Sequence, residues 1–173
     1  MSKAVIGIAK SVGQVEVIVD RLEREASVPI SDISVLVPDS SDVRDIGHVK
    51  ATKAPEGATT GAVAGGLTGG AIGLLAGLGA LAIPGLGAFV AAGPIMAALS
   101  GVAAGATTGG VVGALIGLGI PEYEAKAYED KLRDGNFLIA VHNVEGGQAH
   151  TVRDILKDGG AEDVSSVGEK DAK

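Results

Sequence analysis

The histidines are the side chains best suited to acid–base or metal chemistry here, because the chain contains no cysteine. His142 is predicted to end a strand and His150 to lie on the following helix, so the two imidazoles could approach each other. No acidic residue stands at ligand spacing to complete a metal site, and His48 lies in a separate polar segment. We interpret His142 and His150 as partly exposed imidazoles and predict no bound metal.

Carboxylates and hydroxyls cluster in the polar segment after residue 38. Asp39, Asp42 and Asp45 offer oxygen ligands for a cation, but their serine-rich surroundings favour turn and cap residues. Ser40 and Ser41 have no base near them in the sequence, so no activated nucleophile is predicted.

A glycine-rich phosphate loop would combine close backbone amides with a lysine. The segment from residue 57 to residue 121 is rich in glycine but has no lysine, and no GxxxxGK[ST] motif occurs. Gly85 and Gly87 lack the third glycine of a dinucleotide fingerprint, because position 90 is valine. We therefore predict a protein without enzymatic activity and without a cofactor.

Charge is confined to the two flanks of the sequence. The 65 residues between Glu56 and Glu122 carry no charged side chain, and the net charge is −7. Lys50 and Lys53 do not form the basic stripe that nucleic acid requires, so no nucleic-acid partner is expected. Lys10 interrupts the apolar N-terminal stretch too early for a secretory signal. We expect the flanks to lie in the cytoplasm.

The first flank, residues 1–54, has a β–α–β pattern. An apolar run over 4–9 predicts a strand, and Ser11 with Gln14 has capping-box spacing. Residues 33–37 predict a second strand, which Pro38 ends. Between them, residues 12–26 predict an amphipathic helix whose apolar positions are Val15, Ile18, Val19, Leu22 and Ala26.

The second flank, residues 121–173, repeats this order after one additional helix. That helix opens at Pro121 and presents Ala125, Tyr128 and Leu132 on one face, with Tyr128 expected in the core. Tyr123 lies five residues before Tyr128 and need not share its face. Residues 136–143 predict a strand, and residues 164–167 predict the last one. The helix between them has four inward positions, Ala149, Val152, Ile155 and Leu156.

The predicted fold class is α+β. Removing residues 40–135 leaves two β–α–β units, which is the order of a ferredoxin-like βαβ-βαβ sandwich. The sandwich is split by residues 55–120, which we predict to form a long glycine-zipper α-helical hairpin. Its arms would cover about residues 55–83 and 94–119, with Pro84 and Gly85 breaking the helix between them.

Glycines recur every fourth residue in both predicted arms. Residues four apart share one face of a helix, so such a series opens a groove that a second backbone can enter closely. Each helical glycine costs roughly 1 kcal/mol relative to alanine, so intimate packing must offset on the order of 10 kcal/mol. The predicted helix-packing and oligomerisation residues are Gly57, Gly61, Gly65, Gly69, Gly73, Gly77, Gly101, Gly105, Gly109, Gly113 and Gly117.

The glycine surface exceeds what one hairpin partner can fill. A four-residue step turns about 400°, so each stripe drifts around its helix, and Gly66, Gly70 and Gly110 widen the groove. We therefore expect other copies of the chain as partners. Each arm is long enough to span a bilayer, yet the arms are only weakly hydrophobic. Membrane lipid is thus one predicted partner, and a water-soluble assembly that buries the arms between subunits is the alternative.

Four stretches of the sequence resemble one protein family. They are Ala51–Gly57 before the glycine run, Gly119–Lys126 after it, Leu138–His142, and Gly160–Val164. Together they are similar to bacterial general-stress or low-temperature-induced proteins of the glycine-zipper type. The resemblance covers most of the chain and implies a stress-associated, non-enzymatic protein with no catalytic residues to carry over.

These observations favour a self-assembling stress protein at the cytoplasmic membrane, with its ferredoxin-like domain in the cytoplasm. The alternative is a soluble, cytoplasmic structural homo-oligomer such as a shell, tube or filament. A third class is a small-ligand sensor, which rests on analogy of fold alone.

Overall fold

Six strands, four α-helices and one 3-10 turn form in the described part of this computed structural model, which comprises residues 3–38, 79–83, 87–95 and 110–168. The class is mixed α+β, as predicted. In chain order the elements are β1 (Lys3–Ala9), α1 (Val12–Ala26), the 3-10 turn (Ile30–Asp32), β2 (Ile33–Pro38), β3 (Gly79–Ile83), β4 (Gly87–Ala92), α2 (Gly110–Gly117), α3 (Glu122–Arg133), β5 (Phe137–Val144), α4 (Ala149–Asp158) and β6 (Glu162–Gly168).

The strands form one sheet in the order β3-β4-β2-β5-β1-β6. Every neighbouring pair is antiparallel. β5 comes from the second flank of the sequence but lies between β1 and β2 of the first flank. In β2, Val35 lies opposite Ile139 on one side and Ala92 on the other. The two flanks therefore share one sheet.

Helix α1 begins at the predicted cap. Ser11 Oγ accepts a hydrogen bond from the Gln14 amide at 3.2 Å, and Gln14 Oε1 accepts one from the Lys10 amide at 2.7 Å. Such bonds satisfy amides that have no acceptor within the helix. Ser27 ends the helix in the left-handed region, with φ of 52°.

Both faces of the sheet are covered by helices. Ile139 and Val141 of β5 belong to a core shared with α1 and α4, whereas Leu138 and Ala140 belong to a second core shared with α2 and α3. The two cores follow from the alternation of side chains along a strand. The predicted apolar faces of α1, α3 and α4 are all confirmed as buried.

The prediction of a helix over residues 55–83 is wrong at its C-terminal end. Residues 79–83 form strand β3, which pairs with β4, and β4 in turn pairs with β2. The four-residue glycine period stops at Gly77, and Pro84 with Gly85 is a dipeptide typical of turns. A hairpin here can satisfy its backbone groups on the open edge of β2. Residues 55–78 of this predicted arm lie outside the described residues.

The second predicted arm, residues 94–119, is helical over Gly110–Gly117, and its residues 96–109 lie outside the described part. The chain leaves α2 through Gly119, which has φ of 95°. α2 then packs against α3 over the second core. The described residues of the segment 55–120 are thus built into the same sheet and core as the flanks.

Candidate functional site

Two of the eleven predicted packing glycines lie in the described residues. Both are on α2, where Gly113 is half-buried and Gly117 is exposed. The other nine lie outside the described part of the chain: Gly57, Gly61, Gly65, Gly69, Gly73, Gly77, Gly101, Gly105 and Gly109. The structure therefore describes the candidate assembly surface at one end of the second glycine series.

Helix α2 consists only of glycine and aliphatic residues. Val111, Ala114 and Leu115 point into the second core and are buried. The opposite side, which we call the α2 outer face, comprises Val112, Gly113, Ile116 and Gly117. A helix that is apolar all round is normally buried all round.

The α2 outer face is partly open to solvent. Ile116 is 38% exposed, Gly117 is also exposed, and Val112 and Gly113 are half-buried. A Cβ atom built on Gly117 would meet no atom within 4 Å. Packing within the described chain therefore does not require glycine at this position, although a close approach by another helix would.

A second exposed apolar side chain stands close in sequence to this face. Tyr123, in the first turn of α3, is 73% exposed. Its hydroxyl donates a hydrogen bond to Glu124 Oε1 at 2.8 Å, and this carboxylate raises the pKa of Tyr123. The aromatic ring therefore stays neutral and accessible. Ile116 and Tyr123, seven residues apart, are two of the three large exposed hydrophobic side chains in the described ranges.

His142 has a different environment from the one predicted. It is 3% exposed, and its Nε2 lies 2.9 Å from the Oγ of Ser34, which is fully buried. Ser34 Oγ also accepts a hydrogen bond from the Ile95 amide at 3.0 Å. The prediction of a partly exposed imidazole is wrong for His142. Its ring is buried because Ser34, 108 positions away in the sequence, provides a hydrogen-bond partner on the side of the sheet that carries the second core.

Ser34 and His142 are the residue types that serve as nucleophile and base in serine hydrolases, but their environment does not suit that role. A nucleophile must be reachable by substrate, and both side chains are closed off from solvent. What the pair does is hold the chain after β4 against β2, through the Ile95 amide. The sequence signal for Ser34 is a single polar residue within the apolar strand Ile33–Pro38.

His150 is exposed, as predicted, but it does not meet His142. It lies on α4, which covers the first core, whereas alternation along β5 places His142 on the opposite face with Leu138 and Ala140. His150 Nδ1 lies 3.0 Å from Asp154 Oδ2. Among the described residues, no group of three or more His, Asp or Glu side chains is arranged to hold a metal ion.

Tyr128 is confirmed as a core residue, at 3% exposure. Its hydroxyl donates a hydrogen bond to the Asp163 carbonyl at 2.9 Å, which ties α3 to β6. Burial, together with the nearby charge of Glu124, raises the pKa of Tyr128 well above its usual value. The candidate polar residues Asp39, Ser40, Ser41, Asp42, Asp45 and His48 lie outside the described residues.

None of the helices in the described ranges combines the length and apolar character needed to cross a bilayer. Comparison of the chain with protein-family models, with curated proteins and with solved structures gave no match.

Proposed function

We propose that this chain is a non-enzymatic, stress-associated protein that self-assembles through its glycine-rich segment, with a second copy of the chain covering the α2 outer face. The observation that carries the proposal is the partial exposure of an entirely apolar helix. Its glycines follow the spacing that permits close helix–helix approach, and Gly117 has unused space around it.

We also propose that the flanks form a ferredoxin-like sandwich. The order β2-β5-β1-β6 and the antiparallel pairing of these four strands support this arrangement. So does the position of α1 and α4 on one face of the sheet. In this arrangement, the segment between β2 and α3 adds the β3–β4 hairpin to the edge of the sandwich and α2 to its second face.

The assembly is proposed to form in or on the cytoplasmic membrane, with the sandwich on the cytoplasmic side. The charge-free run of 65 residues supports contact with lipid, as does the even number of crossings that would return both flanks to one side. The alternative is a soluble homo-oligomer in which the glycine-rich segments contact only one another. The junction of β4 with β2 favours this alternative, because it holds part of the segment on the domain.

Substitution of Gly117 by leucine tests the assembly surface. The space around Gly117 lets the variant fold, so the substitution should block only the approach of a second copy. We expect the association constant, measured by sedimentation velocity of the full-length chain, to fall by about ten-fold or more, which corresponds to roughly 1.4 kcal/mol. Gly13→Leu is the matched control, because Gly13 is also a helical glycine with no atom near its added Cβ.

A wild-type chain that sediments as a monomer would exclude the proposal, and equal effects of the two leucine variants would exclude the α2 outer face. Flotation with liposomes then separates the two settings. Assembly that forms only with lipid supports the membrane, whereas assembly without lipid, in a fraction that does not float, supports the soluble homo-oligomer.

A further inference from the structure

A polar cavity of about 410 Å³ opens on the side of the sheet that faces α4. It lies where β1 begins, where β6 ends and where α4 starts. Its floor is on the sheet, and its wall is the first turns of the helix. The described residues that line it, which we call the basic cavity, are Lys3, Gly146, Ala149, His150, Arg153 and Ser166.

The basic cavity brings together two cationic side chains, Lys3 and Arg153. Within the described ranges, Lys3 and Arg153 form no ion pair, whereas six of the other seven Lys and Arg residues each do. His150 adds an imidazole, whose Nδ1 is 3.0 Å from Asp154 Oδ2. The chain as a whole has a net charge of −7, so this local excess of positive charge is opposite in sign to the net charge of the protein.

The N-terminus of α4 also favours a negatively charged ligand in the basic cavity. The first turn of this ten-residue helix has no acidic residue, and its N-cap, Gln148, makes no side-chain capping bond. The Ala149 amide bonds to the Glu145 carbonyl at 3.1 Å, but the helix dipole and the following amides of the first turn favour an anion at this position. Gly146, in the loop before the helix, carries no side chain that would close the approach.

Ser166 supplies an independent observation. It pairs with Val5 across β6 and β1, which places its side chain on the face covered by α4. Although the residue as a whole is half-buried, its Oγ is shut off from water and has no hydrogen-bond partner among the described residues. A buried hydroxyl without a partner is costly, and rotation toward the cavity would let it donate a hydrogen bond to a bound oxygen.

We propose that the basic cavity binds the phosphoryl group of a small, hydroxyl-rich solute. Arg153 and Lys3 provide the charged donors, and arginine matches phosphate through two parallel hydrogen bonds. The first-turn amides of α4 beyond Ala149 provide neutral donors. The volume exceeds that of inorganic phosphate and leaves room for an organic portion. No aromatic or large aliphatic side chain is among the described lining residues, so this portion is polar rather than a stacked base.

The test is calorimetric titration of the full-length chain with glycerol phosphate, with glycerol, with potassium chloride at matched ionic strength, and with vesicles containing phosphatidic acid. We expect saturable binding of glycerol phosphate alone. Arg153→Gln should weaken it by about ten-fold or more, because a charge-assisted bidentate contact is lost. Lys157→Gln is the matched control and should change it by less than about two-fold. Lys157 also lies on α4 without an ion pair in the described ranges, but it does not line the cavity.

Three results would overturn the proposal. They are the absence of saturable binding, equal losses in the Arg153 and Lys157 variants, and binding that depends on Arg153 but occurs only with vesicles containing phosphatidic acid. The last result would assign the phosphoryl group to a lipid. The basic cavity and the α2 outer face lie on opposite faces of the sheet. Sedimentation of Arg153→Gln should therefore match that of the wild type. The proposal of phosphoryl binding and the proposal of self-assembly can thus be rejected independently of each other.

Discussion

At the scale of single residues, Glu23 and Glu25 of α1 experience opposite environments. Burial, aided by the charge of Asp20, raises the pKa of Glu23 above the ordinary glutamate value of 4.5. A hydrogen bond from Arg21 Nε, at 2.8 Å, lowers the pKa of Glu25 below the same value. Relative to the unfolded chain, folding therefore stabilises the protonated form of Glu23 and the charged form of Glu25.

Glutamine substitutions at these two positions should change the pH dependence of stability in opposite directions. Because its folded pKa is raised, Glu23 makes wild-type stability fall as the pH rises above 4.5, so the gain from Glu23→Gln should grow toward neutral pH. Glu25 contributes stability above 4.5 that is lost as the pH falls through its lowered folded pKa, so Glu25→Gln should be destabilising only toward neutral pH. Urea unfolding at about pH 3.5 and about pH 7 measures both effects. Parallel curves for wild type and Glu23→Gln would contradict the prediction.

Other residue environments could not be predicted from sequence. The position of His142 at the end of a strand follows from local pattern, but its burial depends on Ser34, which is 108 positions away. Likewise, Lys3 and Arg153 belong to opposite ends of the sequence. They line one cavity only because β1 and β6 are neighbours and α4 lies above them. Contacts at such separations leave no periodic trace in a single sequence.

At the scale of elements, the exit from β4 depends on Gly93. This residue has φ of 79°, and a Cβ built on it would lie 2.2 Å from the carbonyl oxygen of Ile33. The close approach brings the Ile95 amide to Ser34 on β2. The β3–β4 hairpin therefore docks through a glycine that combines a left-handed backbone with close contact to the neighbouring strand.

Alanine at Gly93 should be strongly destabilising. Gly135→Ala is the matched control, because Gly135 has a similar φ of 89° but no atom near an added Cβ. The control should lose about 1 kcal/mol from the left-handed backbone. Gly93→Ala should lose at least about 2 kcal/mol more in chemical denaturation, because the contact is with backbone that must move. Equal losses would show that the contact relaxes without cost.

The elements that sequence predicts well are those with a clear hydrophobic period. α1, α3 and α4 have apolar residues at helical spacing, and β1, β2 and β5 are mainly apolar runs bounded by Gly, Pro or polar residues. The helix prediction is wrong over residues 79–83, because glycine and alanine fit a tightly packed helix as well as a strand. The free edge of β2 decides between them, and that edge is a property of the folded sheet.

At the scale of the whole molecule, one sheet supports two cores. α1 and α4 pack on one face, and α2 and α3 pack on the other, while each central strand contributes side chains to both. Loss of either helical layer would expose the apolar side chains of the same strands to water. The two layers are therefore expected to unfold together.

This coupling predicts a single unfolding transition. In a Tyr123→Phe variant, Tyr128 is the only tyrosine, and the chain has no tryptophan, so tyrosine emission reports on the second core alone. Far-ultraviolet circular dichroism reports on all helices and strands. We expect the two signals to change at the same urea concentration. A tyrosine transition at lower urea would show that the α2–α3 layer detaches as a separate unit.

The pairing of β1 with β6 places the two ends of the described chain side by side, since Lys3 lies opposite Gly168. A linker of a few residues could therefore join them, and the loss of chain entropy on closing so short a gap is small. The backbone could then be cut elsewhere, for instance between Gly146 and Gly147, to give a circularly permuted protein with the same sheet. Because Lys3 also lines the basic cavity, such a linker would start beside that cavity.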